Sequence, residues 1–287
     1  MFNKRHIVRT IAATASILAL SFTAACGSGQ STASNSTDSD DITQQTYKPG
    51  KLTIATGQPA YEPWVMNDKP ESGEGYEAAV AYAVADKLGF KKSDVVWTRT
   101  AFDTAIAPGA KDWDFNIQQF GITDERKKAV DFSSSYYNDS QSVVVKKDSK
   151  FANATKVSDL KDATVGVMVG TLAYDSAKAN IKDDIQTFND DAALAQALDA
   201  GQIDALVTST VECVYMVQSE QVKDAKVLGR LPDSEDKSGM GIVLPKDSKL
   251  TAAVTKAVDD LNADGTIKKL QDKWLAEYTT DLTELKK

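Results

Sequence analysis

One arginine lies where the sequence predicts the end of a buried strand. Residues 115–120 have the apolar character of a buried strand, Gly121 ends it, and Thr123 is placed to cap a short helical turn that contains Arg126. Ligands of open α/β sheets bind beyond the carboxyl ends of the strands. A guanidinium there can hold a carboxylate through two parallel hydrogen bonds. Arg126 is therefore a candidate carboxylate-binding residue, and the alternative is a solvated arginine in the charged run 125–128.

A second candidate anion site follows a later predicted strand, residues 164–168. Gly170 and Thr171 come directly before a predicted helix that runs from Leu172 to about Asn180. A helix N-terminus directs free backbone N–H groups and the positive end of its dipole toward an anion, and the Thr171 hydroxyl adds another donor. The alternative is that Thr171 only caps the helix.

The N-terminus of the chain has the layout of an export signal. Basic residues precede the apolar run 11–22, which is too short to span a bilayer, and residues 23–25 (Thr-Ala-Ala) lead to Cys26. This arrangement resembles a lipobox, although a threonine stands where that pattern usually has an aliphatic residue. We predict a signal peptide over residues 1–25 and a lipid-modified Cys26, with an ordinary signal peptidase site as the alternative. The polar residues 26–46 are predicted to be a flexible tether.

Composition excludes several classes of protein. Removal of the leader takes away three basic residues and no acids, so the formal charge moves from −8 to −11, which argues against a nucleic-acid partner. The only histidine, His6, lies in the leader, so the mature chain has none for catalysis or metal binding. Cys213 is the only cysteine besides Cys26, which excludes a cysteine metal site and, if Cys26 is modified, any disulfide. We expect no cofactor and no metal, and interpret Cys213 as a small buried apolar residue.

Alternating strands and helices predict two α/β lobes. The chain leaves the first lobe near Val144 and returns to it near Met240, so two strands should cross between the lobes. Lobe 1 is predicted to comprise residues 47–143 and 240–287, and lobe 2 residues 144–239. Such a pair can close on a ligand at a hinge.

Residues 121–133, Gly-Ile-Thr-Asp-Glu-Arg-Lys-Lys-Ala-Val-Asp-Phe-Ser, resemble the T-I-T-P-E-R-x-x-x-V-D-F-S signature of family 3 solute-binding proteins. These proteins are the amino-acid receptors of ABC importers. Residues 165–171 are similar to the family's V-G-V-x-x-G-T pattern and residues 203–207 to its I-D-A-V-V pattern, and the resemblance covers about residues 47–278. It implies the type II periplasmic-binding-protein fold, with two α/β domains joined by two hinge strands.

The resemblance also implies ligand contacts. The arginine of the signature clamps the ligand's α-carboxylate, which gives that role to Arg126, and the G-T pair implies further carboxylate contacts from Gly170 and Thr171. A backbone contact is implied for Gly121. The side chains expected to shape the rest of the pocket are Tyr61, Trp64, Phe102 and Gln118 or Gln119, and core packing is the alternative for the three aromatic residues. None of them is charged, which favours a polar or uncharged amino acid.

One position departs from the family's pattern. Aligning residues 203–209 with I-D-A-V-V-x-D places Ser209 where most amino-acid-binding members carry the aspartate that holds the α-ammonium. A hydroxyl cannot neutralise a buried ammonium group. Glu212, on the first turn of the next predicted helix, is placed to substitute for it. The alternatives are a solvated first-turn acid at Glu212, favoured by the helix dipole, or a ligand without an α-ammonium.

The resemblance predicts the substrate-binding lipoprotein of an ABC importer. It would be exported, anchored by its lipid to the outer face of the cytoplasmic membrane, monomeric, and able to deliver an amino acid or similar carboxylate to a membrane permease. One alternative is a dehydratase-like enzyme on the same fold, and another is a surface adhesin without a small ligand. An enzyme needs an acid or base in the cleft, and the sequence offers only Glu62 and Glu212 near strand ends.

Overall fold

The computed structural model describes residues 41–279 and 282–287. The predicted signal peptide (residues 1–25), the predicted lipidation site Cys26 and most of the predicted tether lie outside the described residues. None of the helices in the described part of the chain is long and apolar enough to cross a bilayer.

Strands and helices alternate along the described chain. The strands are β1 (Leu52–Thr56), β2 (Val95–Arg99), β3 (Phe115–Asn116), β4 (Val130–Tyr137), β5 (Gln141–Lys146), β6 (Val165–Met168), β7 (Gln186–Phe188), β8 (Ala205–Ser209), β9 (Ala225–Arg230) and β10 (Met240–Pro245). The helices are α1 (Tyr76–Lys87), α2 (Phe102–Ile106), α3 (Leu172–Asn180), α4 (Asp191–Asp199), α5 (Thr210–Gln218), α6 (Thr251–Ala263) and α7 (Thr266–Trp274). Short 3₁₀ turns are Ile42–Gln44, Met66–Asp68, Pro70–Ser72, Lys92–Asp94, Arg126–Lys128, Val157–Leu160 and Ala276–Tyr278.

The first lobe is built on a sheet with the strand order β2-β1-β3-β10-β4. β1 is parallel to β2 and β3, while β10 is antiparallel to β3 and β4. Every residue of β1 is buried, as expected for a strand covered on both faces. The helices α1 and α6 pack against this sheet through Val80, Val84, Val254 and Val258, whose four-residue spacing places them on one face of each helix.

The second lobe has the same kind of mixed sheet, with the order β7-β6-β8-β5-β9. β6 is parallel to β7 and β8, and β5 is antiparallel to β8 and β9. One core contains Val165 and Val167 beneath α3, and another contains Leu194 and Leu198 of α4. Cys213 is buried in the latter core, as predicted.

The chain crosses between the lobes at residues 138–140 and 231–239. The first crossing comes earlier than the predicted position near Val144, because β5 pairs along its length with β8 and β9. An apolar run cannot show by itself which sheet it joins. The second crossing ends at Gly239, whose φ is +70°. A Cβ atom there would lie 2.0 Å from Ser135 Oγ, so only glycine fits this return to the first lobe.

Both ends of the described chain pack differently from the sequence prediction. Ile42 packs against the first-lobe core, so the last residues of the predicted tether lie on that lobe. The tail 282–287, predicted in lobe 1, lies on the second lobe: Glu284 forms a β-bridge with Arg230, and Leu285 is buried in the core beneath α3. These contacts join residues far apart in sequence, and local patterns do not encode them.

The strand predicted over residues 115–120 is much shorter than expected. β3 ends at Asn116, and Gln119 has a φ of +49°, which breaks the ladder. The carboxylate of Glu77 in α1 accepts a hydrogen bond from the Gln119 backbone N–H at 2.7 Å and stabilises this bend. The chain then turns toward the second lobe, which places Gly121 and Arg126 at the edge of the first.

Candidate ligand-binding site

A cavity of 360 Å³ lies between the two lobes, within the range of about 300–1,000 Å³ that is typical of small-molecule sites. It is lined by nine of the ten residues that the sequence predicts as ligand contacts: Tyr61, Trp64, Phe102, Gln119, Gly121, Arg126, Thr171, Ser209 and Glu212. The tenth, Gly170, accepts a hydrogen bond from Arg126 at the rim. The fold therefore brings these residues to one place, and their roles in binding stay predictions.

Arg126 connects the two lobes. It lies in the 3₁₀ turn Arg126–Lys128, and its backbone N–H donates to Thr123 Oγ1 at 3.2 Å. Its Nη1 donates to the carbonyl of Gly121 in the first lobe at 2.7 Å, and its Nη2 donates to the carbonyl of Gly170 in the second lobe at 2.9 Å. Both acceptors are neutral, so in the described part of the chain the guanidinium charge has no carboxylate bonded to it. Burial lowers the pKa of Arg126.

The Arg126 guanidinium also packs against the aromatic ring of Phe102. Its central carbon lies 5.5 Å from the centre of the Phe102 ring, a cation–π distance. Phe102 in turn stacks on Phe120, with 4.6 Å between the ring centres. Phe102 thus packs against the first-lobe core and also forms part of the cavity floor. The two roles proposed from the sequence for Phe102, a ligand contact and core packing, are therefore compatible.

Gly170 and Thr171 precede α3 at the opposite wall. Gly170 has a φ of +74°, a conformation that favours glycine. The Thr171 hydroxyl does not cap the helix: it donates to the carbonyl of Met168 at 2.8 Å, and no side chain caps this N-terminus. Thr171 therefore occupies the N-cap position that the alternative predicts, without a side-chain capping bond. The first turn of α3 faces the cavity through Leu172 and Ala173.

Gly121 of the first lobe packs closely against Leu172 of α3. A Cβ atom on Gly121 would lie 2.5 Å from Leu172 Cδ1, so the leucine side chain would have to shift for any larger residue. The Gly121 carbonyl is already used by Arg126, as described above. A ligand group that approaches this carbonyl would meet the guanidinium as well.

The two aromatic residues of the β1–α1 loop, Trp64 and Tyr61, lie in different surroundings. Trp64 is 1% exposed and packs against Tyr76 and Tyr137, with ring centres 6.0 and 5.6 Å away. It is mainly a core residue, as the alternative held, with one edge on the cavity. Tyr61 presents a buried hydroxyl that has no hydrogen-bond partner among the described residues. Burial and the charges of nearby acids raise the pKa of Tyr61 to about 12.

Gln119 is fixed by a buried carboxylate that the sequence analysis did not assign to the site. Glu77 is fully buried in α1 and accepts hydrogen bonds from the Gln119 side chain and from the hydroxyl of Tyr136. Burial raises the pKa of Glu77 to about 7. The amide nitrogen of Gln119 is thus committed to Glu77. Glu77 is the second residue of α1, which packs against the first sheet. An acid on the sheet-facing side of this helix was the sequence feature that could have identified it.

Ser209 and Glu212 are linked at the start of α5. The Ser209 hydroxyl accepts a hydrogen bond from the Glu212 backbone N–H at 3.2 Å and caps the helix. The Glu212 carboxylate is 5% exposed; its Oε2 accepts a hydrogen bond from Trp64 Nε1 at 3.2 Å, and its Oε1 has no partner among the described residues. Burial, and then the charge of Asp191, raise the pKa of Glu212 well above its usual value. The alternative of a solvated first-turn acid is wrong.

Five further acids line the cavity, and sequence reasoning assigned none of them to the site: Asp103, Asp139, Asp190, Asp191 and Asp236. Asp139 and Asp236 come from the two crossing segments, and Asp190 and Asp191 begin α4. Burial raises the pKa of Asp139 to about 6. The acids of α4 directly follow Asn189 at the carboxyl end of β7, so the strand-end rule applied to Arg126 would have found them had that short strand been recognised.

The arrangement can bind a ligand that carries charges of both signs. A guanidinium and a helix N-terminus can hold an anionic group, and the buried carboxylates can hold a cationic one. In the described residues, no group of His, Cys, Asp or Glu side chains is arranged to hold a metal ion.

Two mixed α/β lobes joined by two crossing segments around such a cavity define the class of type II periplasmic binding proteins. The chain belongs to the family described as bacterial extracellular solute-binding proteins, family 3, which matches residues 52–277. Relatives of the chain include an L-arginine-binding protein of Pseudomonas aeruginosa and the ABC transporter glutamine-binding protein GlnH of Bacillus subtilis.

Relatives and solved structures agree with this assignment. The L-cystine-binding protein TcyJ of Escherichia coli (strain K12) is 30% identical over 223 residues, which are 77% of this chain and 81% of that protein. The structure of the arginine-, lysine-, histidine-binding protein ArtJ from Geobacillus stearothermophilus is similar with a TM-score of 0.67 and 25% identity, covering 79% of this chain and 95% of that one. The ancestral amino acid-binding protein AncCDT-1, a precursor of cyclohexadienyl dehydratase, has a TM-score of 0.65 and 30% identity, covering 79% and 96%.

Proposed function

We propose that this protein is the substrate-binding lipoprotein of an ABC importer, which binds an amino acid between its lobes and delivers it to a membrane permease. The observation that carries the proposal is Arg126, a half-buried guanidinium on the cavity whose hydrogen bonds in the described part of the chain go to two neutral carbonyls, one from each lobe. An α-carboxylate at this position would pair with the full charge of the Arg126 guanidinium and would lie at the N-terminus of α3. A ligand that contacts both lobes stabilises the closed arrangement by its greater affinity for it.

Glu212 is the proposed partner of the α-ammonium. The family's aspartate is replaced by Ser209, whose hydroxyl is occupied as the cap of α5. Glu212 Oε1 lies on the same cavity wall, is buried, and lacks a partner among the described residues. An ammonium group placed against it would offset the cost of burying the carboxylate.

An enzyme on the same fold is the second candidate, and one observation favours it. Glu212 is a buried acid with a raised pKa on a cavity, which is also what a general acid requires. The two candidates differ in what happens to the ligand after it binds.

A thermal-shift screen of the full chain against the twenty amino acids tests the proposal. A ligand at 100 times its dissociation constant stabilises the folded state by about 2.7 kcal/mol, which should raise the midpoint by roughly 5–10 °C for a chain of this size. Mass spectrometry of the released ligand should then recover it unchanged. A ligand consumed during incubation would indicate the enzyme, and no shift with any amino acid would contradict the proposal and favour the adhesin.

Replacing Cys26 by serine should leave the protein folded and release it from the membrane. The proposed acyl chains on this cysteine are the only anchor in the proposal, and their loss removes the burial of many CH₂ groups, each worth about 0.8 kcal/mol. Fractionation of cells into membrane and soluble material measures the result. Retention of the Cys26→Ser variant in the membrane fraction would contradict lipidation.

A further inference from the structure

The cavity carries more negative than positive charge. Among the described residues that line it, one is basic, Arg126, and six are acidic: Asp103, Asp139, Asp190, Asp191, Glu212 and Asp236. The α-carboxylate and α-ammonium of an ordinary amino acid cancel each other, so a neutral amino acid would leave this excess unchanged. The excess is therefore informative about the ligand's side chain.

The charges are separated along the cavity. Of the acids in the lining, Asp236 is the one whose charge acts on Arg126. Three others, which line the cavity together with Tyr61, act instead on the Tyr61 hydroxyl: Asp190, Asp191 and Glu212. The Arg126 end thus suits an anionic group and the Tyr61 end suits cationic groups.

The acidic end has acceptor atoms that are built in and unused. Glu212 is 5% and Asp139 7% exposed, and each has one carboxylate oxygen without a partner among the described residues. The hydrogen-bond contact that the described residues offer Asp191 is long, 3.5 Å from Thr208 Oγ1. Burial and the neighbouring charge of Asp190 raise the pKa of Asp191 to about 6. Buried carboxylates without a cationic partner cost free energy, and one α-ammonium can pair with only part of this cluster.

We infer that the ligand is a cationic amino acid whose side-chain ammonium or guanidinium group is held at Asp191 beside Tyr61. The inference rests on the proposed function, because it assumes the α-carboxylate at Arg126 and the α-ammonium at Glu212. A side-chain carboxylate would be repelled at this end, and a neutral amide would leave the acids without a cation.

This inference replaces the sequence-based preference for an uncharged side chain. That preference considered only pocket residues from the first lobe, all of them uncharged. Five of the six acids that reverse it come from the second lobe and from the crossing segments, and the sixth, Asp103, lies in α2 of the first lobe. They meet the first-lobe loop only in the folded protein.

Matched ligand pairs test the inference without any substitution. Calorimetry on the full chain in mild detergent would compare L-arginine with L-citrulline, which replaces the guanidinium by a neutral urea of similar shape, and L-lysine with L-norleucine. We expect the cationic member of at least one pair to bind at least about tenfold more tightly, or roughly 1.4 kcal/mol. Equal binding of the neutral and cationic members would overturn the inference and leave the proposed function intact. Failure of every amino acid to bind would instead contradict the proposed function.

Replacing Asp191 by asparagine (Asp191→Asn) tests whether this residue holds the side-chain cation. Asp190 is left unchanged because its carboxylate caps α4, accepting from the Ala193 N–H at 2.8 Å. We expect the variant to lose at least tenfold in affinity for the cationic ligand and less than threefold for its neutral analogue. Asp184→Asn, which changes the same charge at an exposed position of the second lobe away from the cavity lining, is the matched control and should bind as wild type. An equal loss for both members of the pair would overturn the role of Asp191, because it would show a structural effect.

Discussion

Replacing Arg126 by alanine should abolish amino-acid binding. The substitution removes the proposed charge partner of the α-carboxylate and, with it, the hydrogen bond from Nη2 to the Gly170 carbonyl that links the lobes. Loss of one member of a buried charge pair costs about 2–5 kcal/mol, hence roughly a factor of 30 or more in affinity. Calorimetry with the amino acid found in the thermal-shift screen measures it.

Two further variants separate charge from geometry. Arg126→Lys keeps the charge but cannot reproduce the planar fork, so it should lose nearly as much affinity. Arg230→Ala removes an exposed arginine of β9 that lies outside the cavity lining, and it should bind like wild type. Wild-type affinity in Arg126→Ala would contradict the assignment of the carboxylate site.

Glu212→Gln should weaken amino-acid binding at least about tenfold, or roughly 1.4 kcal/mol. Glutamine keeps an oxygen that can accept the hydrogen bond from Trp64 Nε1, so the change removes the charge and spares that contact. A des-amino carboxylate analogue of the ligand lacks the ammonium, and its affinity should not fall. Unchanged affinity for the amino acid would discard the role of Glu212. Tight binding of the analogue by the wild-type protein would favour a ligand without an α-ammonium.

The same variant should make the ligand-free protein more stable at neutral pH. Burial raises the pKa of Glu212 above its unfolded value, so the folded state binds the proton more tightly. Such a group lowers stability progressively as the pH rises above the unfolded pKa, and a neutral amide removes this cost. The thermal midpoint of Glu212→Gln at pH 7 should therefore rise, while Glu220→Gln, at an exposed site just beyond α5, should not change it. A lower midpoint would show that the charge is compensated in the free protein.

Local order in the sequence was enough to predict the parts of the site that depend on one strand end or one helix start. Arg126 lies in a short turn whose first N–H donates to Thr123, and Gly170 and Thr171 stand between a strand and a helix. The valines four residues apart in α1 and α6 are a pattern of the same local kind, because a helix that packs on a sheet must bury one face. These features require only short-range geometry, which adjacent residues determine.

Only the tertiary structure decided the electrostatics of the cavity. Asp139, Asp191, Glu212 and Asp236 are far apart in the chain and lie in two crossing segments and at the starts of two helices. Their shared burial raises their pKa values and creates the acidic end. The sequence showed that Ser209 departs from the family's pattern, but not that its hydroxyl caps α5 while Glu212 faces the cavity. The reason is physical: the secondary structure of a segment depends largely on its own residues, whereas desolvation and charge repulsion depend on which distant segments meet.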